Sequence, residues 1–138
     1  MKINAHGFAV ELEPRRQLDD EDWCRVQVRA SVPGFEADFE AWLQGSDLVR
    51  FATEVDGLYE AAGKPGSARL SSAEPDIFIE LTMQALGGIK GQYTFRNDAG
   101  GEVPATLSGG FTMDQSYLPG LGKSLSDLLT KLGGAREA

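Results

Sequence analysis

Apolar and polar residues alternate along most of this chain, a pattern that is typical of β-strands with one buried face. The alternation is interrupted by short runs rich in glycine, proline and acidic residues, which indicate turns and loops. The strands predicted in this way cover residues 8–13, 23–32, 35–44, 77–84, 89–96 and 103–113, with a further short strand at 68–71.

The pair Pro-Gly at positions 33–34 divides the second strand from the third. Proline presets its own φ angle and glycine accepts a positive φ, so the pair predicts a tight turn. In the register that this turn sets, Arg29 lies opposite Asp38, and Arg25 lies opposite Trp42. An opposite-charge pair across two strands favours this register modestly.

A second turn signal is the segment Asn-Asp-Ala-Gly-Gly at positions 97–101. Such a segment between two alternating runs predicts a hairpin loop. A hairpin closed by these residues places Arg96 opposite Glu102, and Phe95 opposite Val103.

Two stretches change to the helical spacing of apolar residues. The first helix is predicted over residues 47–63, with Ser46 as its N-cap, and it ends in glycine. The second helix begins near Ser116 or Pro119 and continues to residue 132, where a Gly-Gly pair stops it.

The resulting order is βββ-α-(β)βββ-α in one domain over residues 1–138. Short hairpin links favour antiparallel pairing. We therefore predict the α+β class, with one antiparallel sheet of six to seven strands and both helices packed on the sheet. The pattern makes no prediction about the oligomeric state.

Charge and composition narrow the class of partner. The chain has 21 acidic and 13 basic residues, and its net charge is −8. This charge disfavours nucleic acid and anionic membranes as partners, and it is compatible with a basic protein. No stretch reaches the roughly 20 apolar residues of a membrane helix, and the first residues lack the apolar centre of a signal peptide. We expect a cytoplasmic protein.

Two segments bear a faint likeness to catalytic motifs. The triplet Gly-Lys-Ser at 122–124 matches the end of a phosphate-binding loop, but Tyr117 stands where that motif has its first glycine. Ser108 precedes two glycines as in a nucleophile elbow, but Thr106 stands where that motif requires glycine. His6 is the only histidine, so a catalytic triad has no evident partners.

Metal and acid–base sites are equally poorly supported. One histidine and one cysteine, Cys24, cannot form a tetrahedral zinc site, and the acidic run at 19–22 lacks the spacing of a calcium-binding loop. Asp114, Gln115 or Ser116 is expected to cap the helix that follows. We predict no catalytic residue, no cofactor and no metal, and hence a protein that is not an enzyme.

The candidate partner-binding residues lie at one end of the predicted sheet. An acidic run between the first two strands would attract a basic surface, although such a run is also typical of a solvated loop. Two tryptophans on the polar face would serve as interface anchors, unless a helix, a loop or a partner subunit covers them. The candidate residues are Asp19, Asp20, Glu21, Asp22, Trp23 and Trp42.

Three segments together resemble the WapI-type immunity proteins and related small proteins. These segments are the helical residues 47–63, the segment Glu-Pro-Asp-Ile-Phe-Ile-Glu-Leu at 74–81, and the segment Gly-Phe-Thr-Met-Asp-Gln-Ser-Tyr-Leu-Pro at 110–119. The likeness in element order extends from about residue 7 to residue 132, and residues 114–118 are its sharpest part.

Members of that family are small bacterial proteins that neutralise nuclease toxins. The resemblance implies a non-catalytic binding protein whose partner is a basic nuclease toxin, and it transfers no catalytic residues. The alternative interpretation is a cytoplasmic protein that binds a small ligand between its sheet and its helices.

Overall fold

Two antiparallel sheets of four strands each make up most of the computed structural model, which describes residues 1–61, 63–74, 76–98 and 103–134. The strands follow one another in chain order within each sheet. The first sheet contains β1 (Lys2–Ala5), β2 (Phe8–Arg16), β3 (Trp23–Val32) and β4 (Phe35–Gln44). The second contains β5 (Gly66–Ser71), β6 (Ile77–Met83), β7 (Gly88–Asn97) and β8 (Ala105–Asp114).

Helix α1 (Gly45–Glu60) connects the two sheets, and helix α2 (Leu118–Lys131) follows β8. Short 3₁₀ turns at Ala85–Gly87 and Gln115–Tyr117 precede β7 and α2. Helix α1 begins one residue before Ser46, so the predicted N-cap was wrong and Gln44 holds that position. The Gln44 N–H donates to the carboxylate of Asp47 at 3.2 Å.

The prediction of one sheet was wrong, although the α+β class, the two helices and the antiparallel pairing were right. The sheets separate because α1 lies along the outer edge of β5, where the Arg69 N–H donates to the Glu54 carboxylate at 3.0 Å. At the other edges, β1 and β8 meet at a single bridge, between His6 and Thr112. Strand β1 was not predicted because only four residues carry its alternation.

The register of the hairpins was predicted correctly at one turn and incorrectly at the other. Around the turn at 33–34, Arg29 pairs with Asp38, and Arg25 pairs with Trp42, as predicted. In the second sheet Phe95 pairs with Leu107 instead of Val103. Arg96 likewise pairs with Thr106, so its predicted pairing with position 102, a residue outside the described ranges, was wrong. The β7–β8 connection is therefore longer than the predicted five-residue loop.

The inner faces of both sheets and one face of each helix share one apolar core among the described residues. An aromatic cluster joins the sheets: the ring of Phe8 stacks on Tyr93 and on Phe111, each with ring centroids 4.5 Å apart. Phe39 meets Phe95 edge to face at 6.0 Å. Such ring pairs add attraction beyond the area that they bury, so they fix how the two sheets face each other.

Glycine at position 91 is required by this cluster. Gly91 lies opposite Phe111 across β7 and β8, and a Cβ atom at position 91 would lie 2.1 Å from the phenyl ring. No side chain can be added there unless the ring moves out of its stack on Phe8.

We predict opposite effects of alanine at two glycines. Gly91→Ala should lower the free energy of unfolding by about 1–3 kcal/mol, because it overpacks the aromatic cluster. Gly57→Ala is the matched control, since a Cβ at that position of α1 would have no atom within 4 Å other than its chain neighbours and the backbone of its own helix. The control should raise stability by about 0.5–1 kcal/mol, because alanine is the better helix former. Urea denaturation of both variants measures the difference, and equal effects would contradict the packing argument.

Candidate functional site

The acidic run between β2 and β3 forms an ordered turn. The carboxylate of Asp19 accepts the N–H groups of Glu21 at 2.9 Å and of Trp23 at 3.0 Å. The Asp19 N–H also donates to the Trp23 carbonyl at 2.9 Å. Aspartate forms such turns readily because its short side chain reaches backbone amides two to four residues away. Asp19 therefore sets the shape of the loop from within.

Asp22 connects this loop to α1. Its carboxylate accepts the Ser46 N–H at 2.9 Å, and its carbonyl accepts the Gly45 N–H at 3.0 Å. The φ angle of Asp22 is +67°, a left-handed conformation that aspartate tolerates better than most residues. The free N–H groups and the positive dipole of a helix start favour a carboxylate at this place.

The four acidic residues thus have different roles. Asp19 and Asp22 hold backbone N–H groups, whereas Asp20 and Glu21 are exposed on the same loop. The sequence pattern does not separate them, because the difference depends on the position of α1 and on one positive φ angle.

The two tryptophans lie side by side on the outer face of the first sheet, in the predicted register, with Trp23 opposite Gln44. Both are half-buried. The guanidinium carbons of Arg25 and Arg16 lie 5.1 Å and 5.7 Å from the ring centroid of Trp42, within the range of cation–π attraction. Arg16 reaches this ring because a register shift after Pro14 places it opposite Arg25.

An open cleft of about 300 Å³ lies beside these rings, and we call it the acidic tryptophan cleft. It is lined by Asp19, Trp23, Trp42 and Glu74. Glu74 comes from the connection between β5 and β6, so both sheets contribute to the cleft. Sequence reasoning missed Glu74 as a site residue because its distance from Trp23 along the chain gives no local signal.

The carboxylates around this cleft form no direct ion pair with any residue that the structure describes, although Arg16 and Arg25 lie against the Trp42 ring at its side. Within the described ranges, none of Asp19, Asp20, Glu21, Asp22 and Glu74 forms an ion pair. Elsewhere on the outer face of the first sheet, acidic residues are paired: Lys2 with Glu11, Arg29 with Glu13 and Asp38, and Arg25 with Glu40.

Asp76 lies near the cleft residue Glu74, just before β6. The pKa of Asp76 is raised, chiefly by burial and then by the nearby carboxylates of Asp98 and Glu74, whereas the charge of Arg96 lowers it. The Asp76 carboxyl is therefore harder to ionise than a free aspartate.

The residues with a faint likeness to catalytic motifs, Ser108 and His6, are both placed in backbone pairing between strands. Ser108 lies within β8 instead of at a strand-to-helix turn, and His6 is used through its backbone N–H, which donates to the Thr112 carbonyl at 3.2 Å. Asp114 caps the 3₁₀ turn before α2, and not the helix itself, by accepting the Ser116 N–H at 2.8 Å, and this hydrogen bond lowers its pKa. The N-cap position of α2 is held by Tyr117 instead of one of the three predicted residues. Burial raises the pKa of the Cys24 thiol to about 11, which keeps it protonated.

Two further properties concern the described residues. No group of three or more His, Cys, Asp or Glu side chains there is arranged to hold a metal ion. No helix among the described residues has both the length and the apolar character needed to cross a membrane.

We predict that Asp22 and Glu21 differ in their effect on stability. Asp22→Ala should lower the free energy of unfolding by about 1–2 kcal/mol, because α1 loses a cap and alanine is strained at the positive φ. Glu21→Ala removes a neighbouring charge whose carboxylate caps no helix, so it should change the free energy of unfolding little. Thermal and urea unfolding of the two variants provide the comparison. Equal stability of both would show that the Asp22 cap contributes nothing.

Comparison with known proteins identifies the family. A search of curated proteins finds no match to this chain. The model of one protein family, described as the Immunity protein WapI-like family, matches residues 1–133. This match confirms the resemblance seen in the three sequence segments, and it indicates a toxin-neutralising immunity role. The chain belongs to the Immunity protein WapI-like family.

Proposed function

We propose that this chain is a non-catalytic immunity protein that neutralises a basic nuclease toxin by binding it at the acidic tryptophan cleft. The observation that carries the proposal is the group of carboxylates without cationic partners around two half-buried tryptophans. The family suggests that the partner is a toxin. The carboxylates of the cleft support a basic partner that binds there.

Electrostatics supports a basic partner. A nuclease binds the phosphates of its substrate through clustered lysine and arginine side chains. The exposed carboxylates of Asp20, Glu21 and Glu74 offer such a cluster a substitute for phosphate. Opposite potentials steer two proteins together and raise the association rate, and the bound inhibitor then blocks access of nucleic acid.

The tryptophans support specificity and a slow dissociation. Tryptophan is enriched among the residues that dominate binding energy, because it buries a large area and loses little entropy. The guanidinium groups of Arg16 and Arg25 already lie over the ring of Trp42. Cation–π contacts with arginine side chains therefore form at this place on the sheet. A lysine or arginine of the toxin entering the cleft would meet the Trp23 ring and the carboxylates of Asp19 and Glu74.

The direct test is inhibition. The tagged chain is used to capture its partner from a native lysate, and the captured protein is assayed for cleavage of DNA and RNA. We expect nuclease activity that falls to background at a one-to-one ratio of added chain. A captured protein without nuclease activity, or a nuclease that stays active when saturated with the chain, would contradict the proposed function.

A second candidate function has one specific observation in its favour. A cleft of about 450 Å³ lies between β1, the end of β8 and the start of α2, and its lining includes Lys2, His6, Met113 and Tyr117. This volume suits a small ligand. A thermal-shift screen of metabolites separates the two functions, because a ligand in this cleft would stabilise the isolated chain without any toxin.

We predict that the association rate with the toxin falls steeply as salt rises, because salt screens the attraction between exposed charges. The variant Glu21→Gln/Glu74→Gln should associate several-fold more slowly at low salt while its melting temperature stays close to that of the parent. The control Glu60→Gln/Asp127→Asn removes the same charge from exposed positions on the two helices and should associate normally. Stopped-flow mixing measures these rates, and an association rate indifferent to salt would contradict an acidic binding surface.

We predict that Trp23→Ala weakens toxin binding about tenfold or more, equivalent to roughly 1.4 kcal/mol. The loss of unfolding free energy should be smaller than the roughly 3–5 kcal/mol of a fully buried aromatic residue, because Trp23 is only half-buried. Tyr59→Ala, a change of an exposed aromatic near the far end of α1, is the control and should bind normally. Calorimetric titration gives both affinities, and unchanged binding by Trp23→Ala would remove the tryptophan from the interface.

A further inference from the structure

Strand β8 is an edge strand whose outer side is largely unpaired. It pairs with β7 along its whole length, from Ala105 to Asp114. On its other side, the His6 N–H donates to the Thr112 carbonyl at 3.2 Å. Across the ranges that the structure describes, no other backbone hydrogen bond reaches that side of residues 105–110, which we call the β8 free edge.

The His6 bridge determines which groups the β8 free edge presents. In antiparallel strands, the N–H and C=O of every second residue point to the same neighbour. Since the Thr112 carbonyl faces away from β7, the backbone groups of Thr106, Ser108 and Gly110 face away from it as well. These three residues are exposed, so three donors and three acceptors in a row are available to an added strand.

The β8 free edge lacks the features that normally protect such strands. Natural edge strands carry lysine, proline or bulges, or lie beneath another element. The edge sequence Ala-Thr-Leu-Ser-Gly-Gly has no charged residue and no proline, and its register with β7 has no shift. By contrast, the N–H of Lys2 on β1 donates to the Ser124 hydroxyl of α2, and that of Arg69 on β5 donates to Glu54 of α1.

Apolar side chains surround the start of this edge. A cleft of about 320 Å³ between β4 and the β7–β8 hairpin is lined by Phe35, Phe95 and Leu107, and its lining also includes the acidic Glu36 and Asp38. Phe35 is 65% exposed, and Val103 just before β8 is 83% exposed. An added strand would remove part of this apolar surface from water, which favours its binding.

We propose that the β8 free edge pairs with the same edge of a second copy of this chain. An antiparallel arrangement about a twofold axis at Ser108 places Ser108 opposite Ser108 of the second copy, and Thr106 opposite Gly110. The three outward-facing residues then pair completely, with six backbone hydrogen bonds. The same surface serves both copies, as twofold dimers require.

Space agrees with this occupant, and charge limits how tightly the two copies bind. Two chains of net charge −8 repel each other, and Glu36 and Asp38 lie in the cleft beside the contact, but the residues that pair along the β8 free edge are uncharged. The small side chains of Ser108 and Gly110 allow close approach of the two strands. The pairing ends at Thr112, where β1 already occupies the edge.

The dimer leaves the acidic tryptophan cleft open. Phe35, beside the β8 free edge, begins β4, and Trp42 lies seven residues further along that strand, roughly 23 Å away at about 3.3 Å per residue. Each dimer thus carries two separate toxin-binding surfaces, and the dimer does not depend on the proposed function.

Sedimentation equilibrium of the purified chain over a wide concentration range tests the proposal. We expect a concentration-dependent monomer–dimer equilibrium. Ser108→Pro removes the central N–H from the edge and should raise the dissociation constant of the dimer about tenfold or more. Ser108→Thr keeps the N–H and should dimerise like the parent. A chain that stays monomeric at all concentrations, or a folded Ser108→Pro that dimerises normally, overturns the proposal.

Hydrogen exchange on the unchanged chain is independent of any variant. The amides of Thr106, Ser108 and Gly110 should exchange more slowly as protein concentration rises, while that of the exposed Asp20 should not change. Exchange at the three amides that is indifferent to concentration and slows only when the toxin is added would assign the edge to the toxin, and it would overturn the proposed dimer.

Discussion

Burial of two apolar sheet faces against each other is the constraint on which this architecture depends. Each sheet alone would leave one apolar face in water, and neither is wide enough to close on itself. The contact is made by aromatic rings at one place, with Phe8 of the first sheet lying on Tyr93 and Phe111 of the second. The helices cover what remains of the inner faces. The surface features that draw on both sheets follow from the relative position that this contact imposes.

The acidic tryptophan cleft illustrates this dependence. Trp23 and Trp42 belong to the first sheet, and Glu74 belongs to a connection of the second. These residues meet only because the sheets are held face to face. Asp22 adds a second constraint by joining the β2–β3 loop to the start of α1, the element that links the sheets. The site is therefore a product of tertiary structure and not of a local motif.

Features that depend on neighbouring residues could be predicted from the sequence, and those that depend on distant contacts could not. The turn at 33–34 fixes a register within one hairpin, and the pairing of Arg25 with Trp42 followed from it. Alternation identifies strands but does not determine which of them share a sheet, so one sheet was predicted where there are two. The acidic run was found as a group, whereas the role of Asp22 at the start of α1 depends on the position of that helix.

The β2–β3 loop contains two residues that shape it and two that are exposed to a partner, and this has a consequence for how the choice of partner can change. Asp19 and Asp22 order the loop before any partner arrives, so association incurs little conformational entropy cost there. Asp20 and Glu21 are exposed on this ordered loop, and their side chains do not take part in the hydrogen bonds that shape it. At the proposed binding surface, substitution of these two residues would change selectivity between toxins while the fold stays intact, which separates the evolution of specificity from the maintenance of folding.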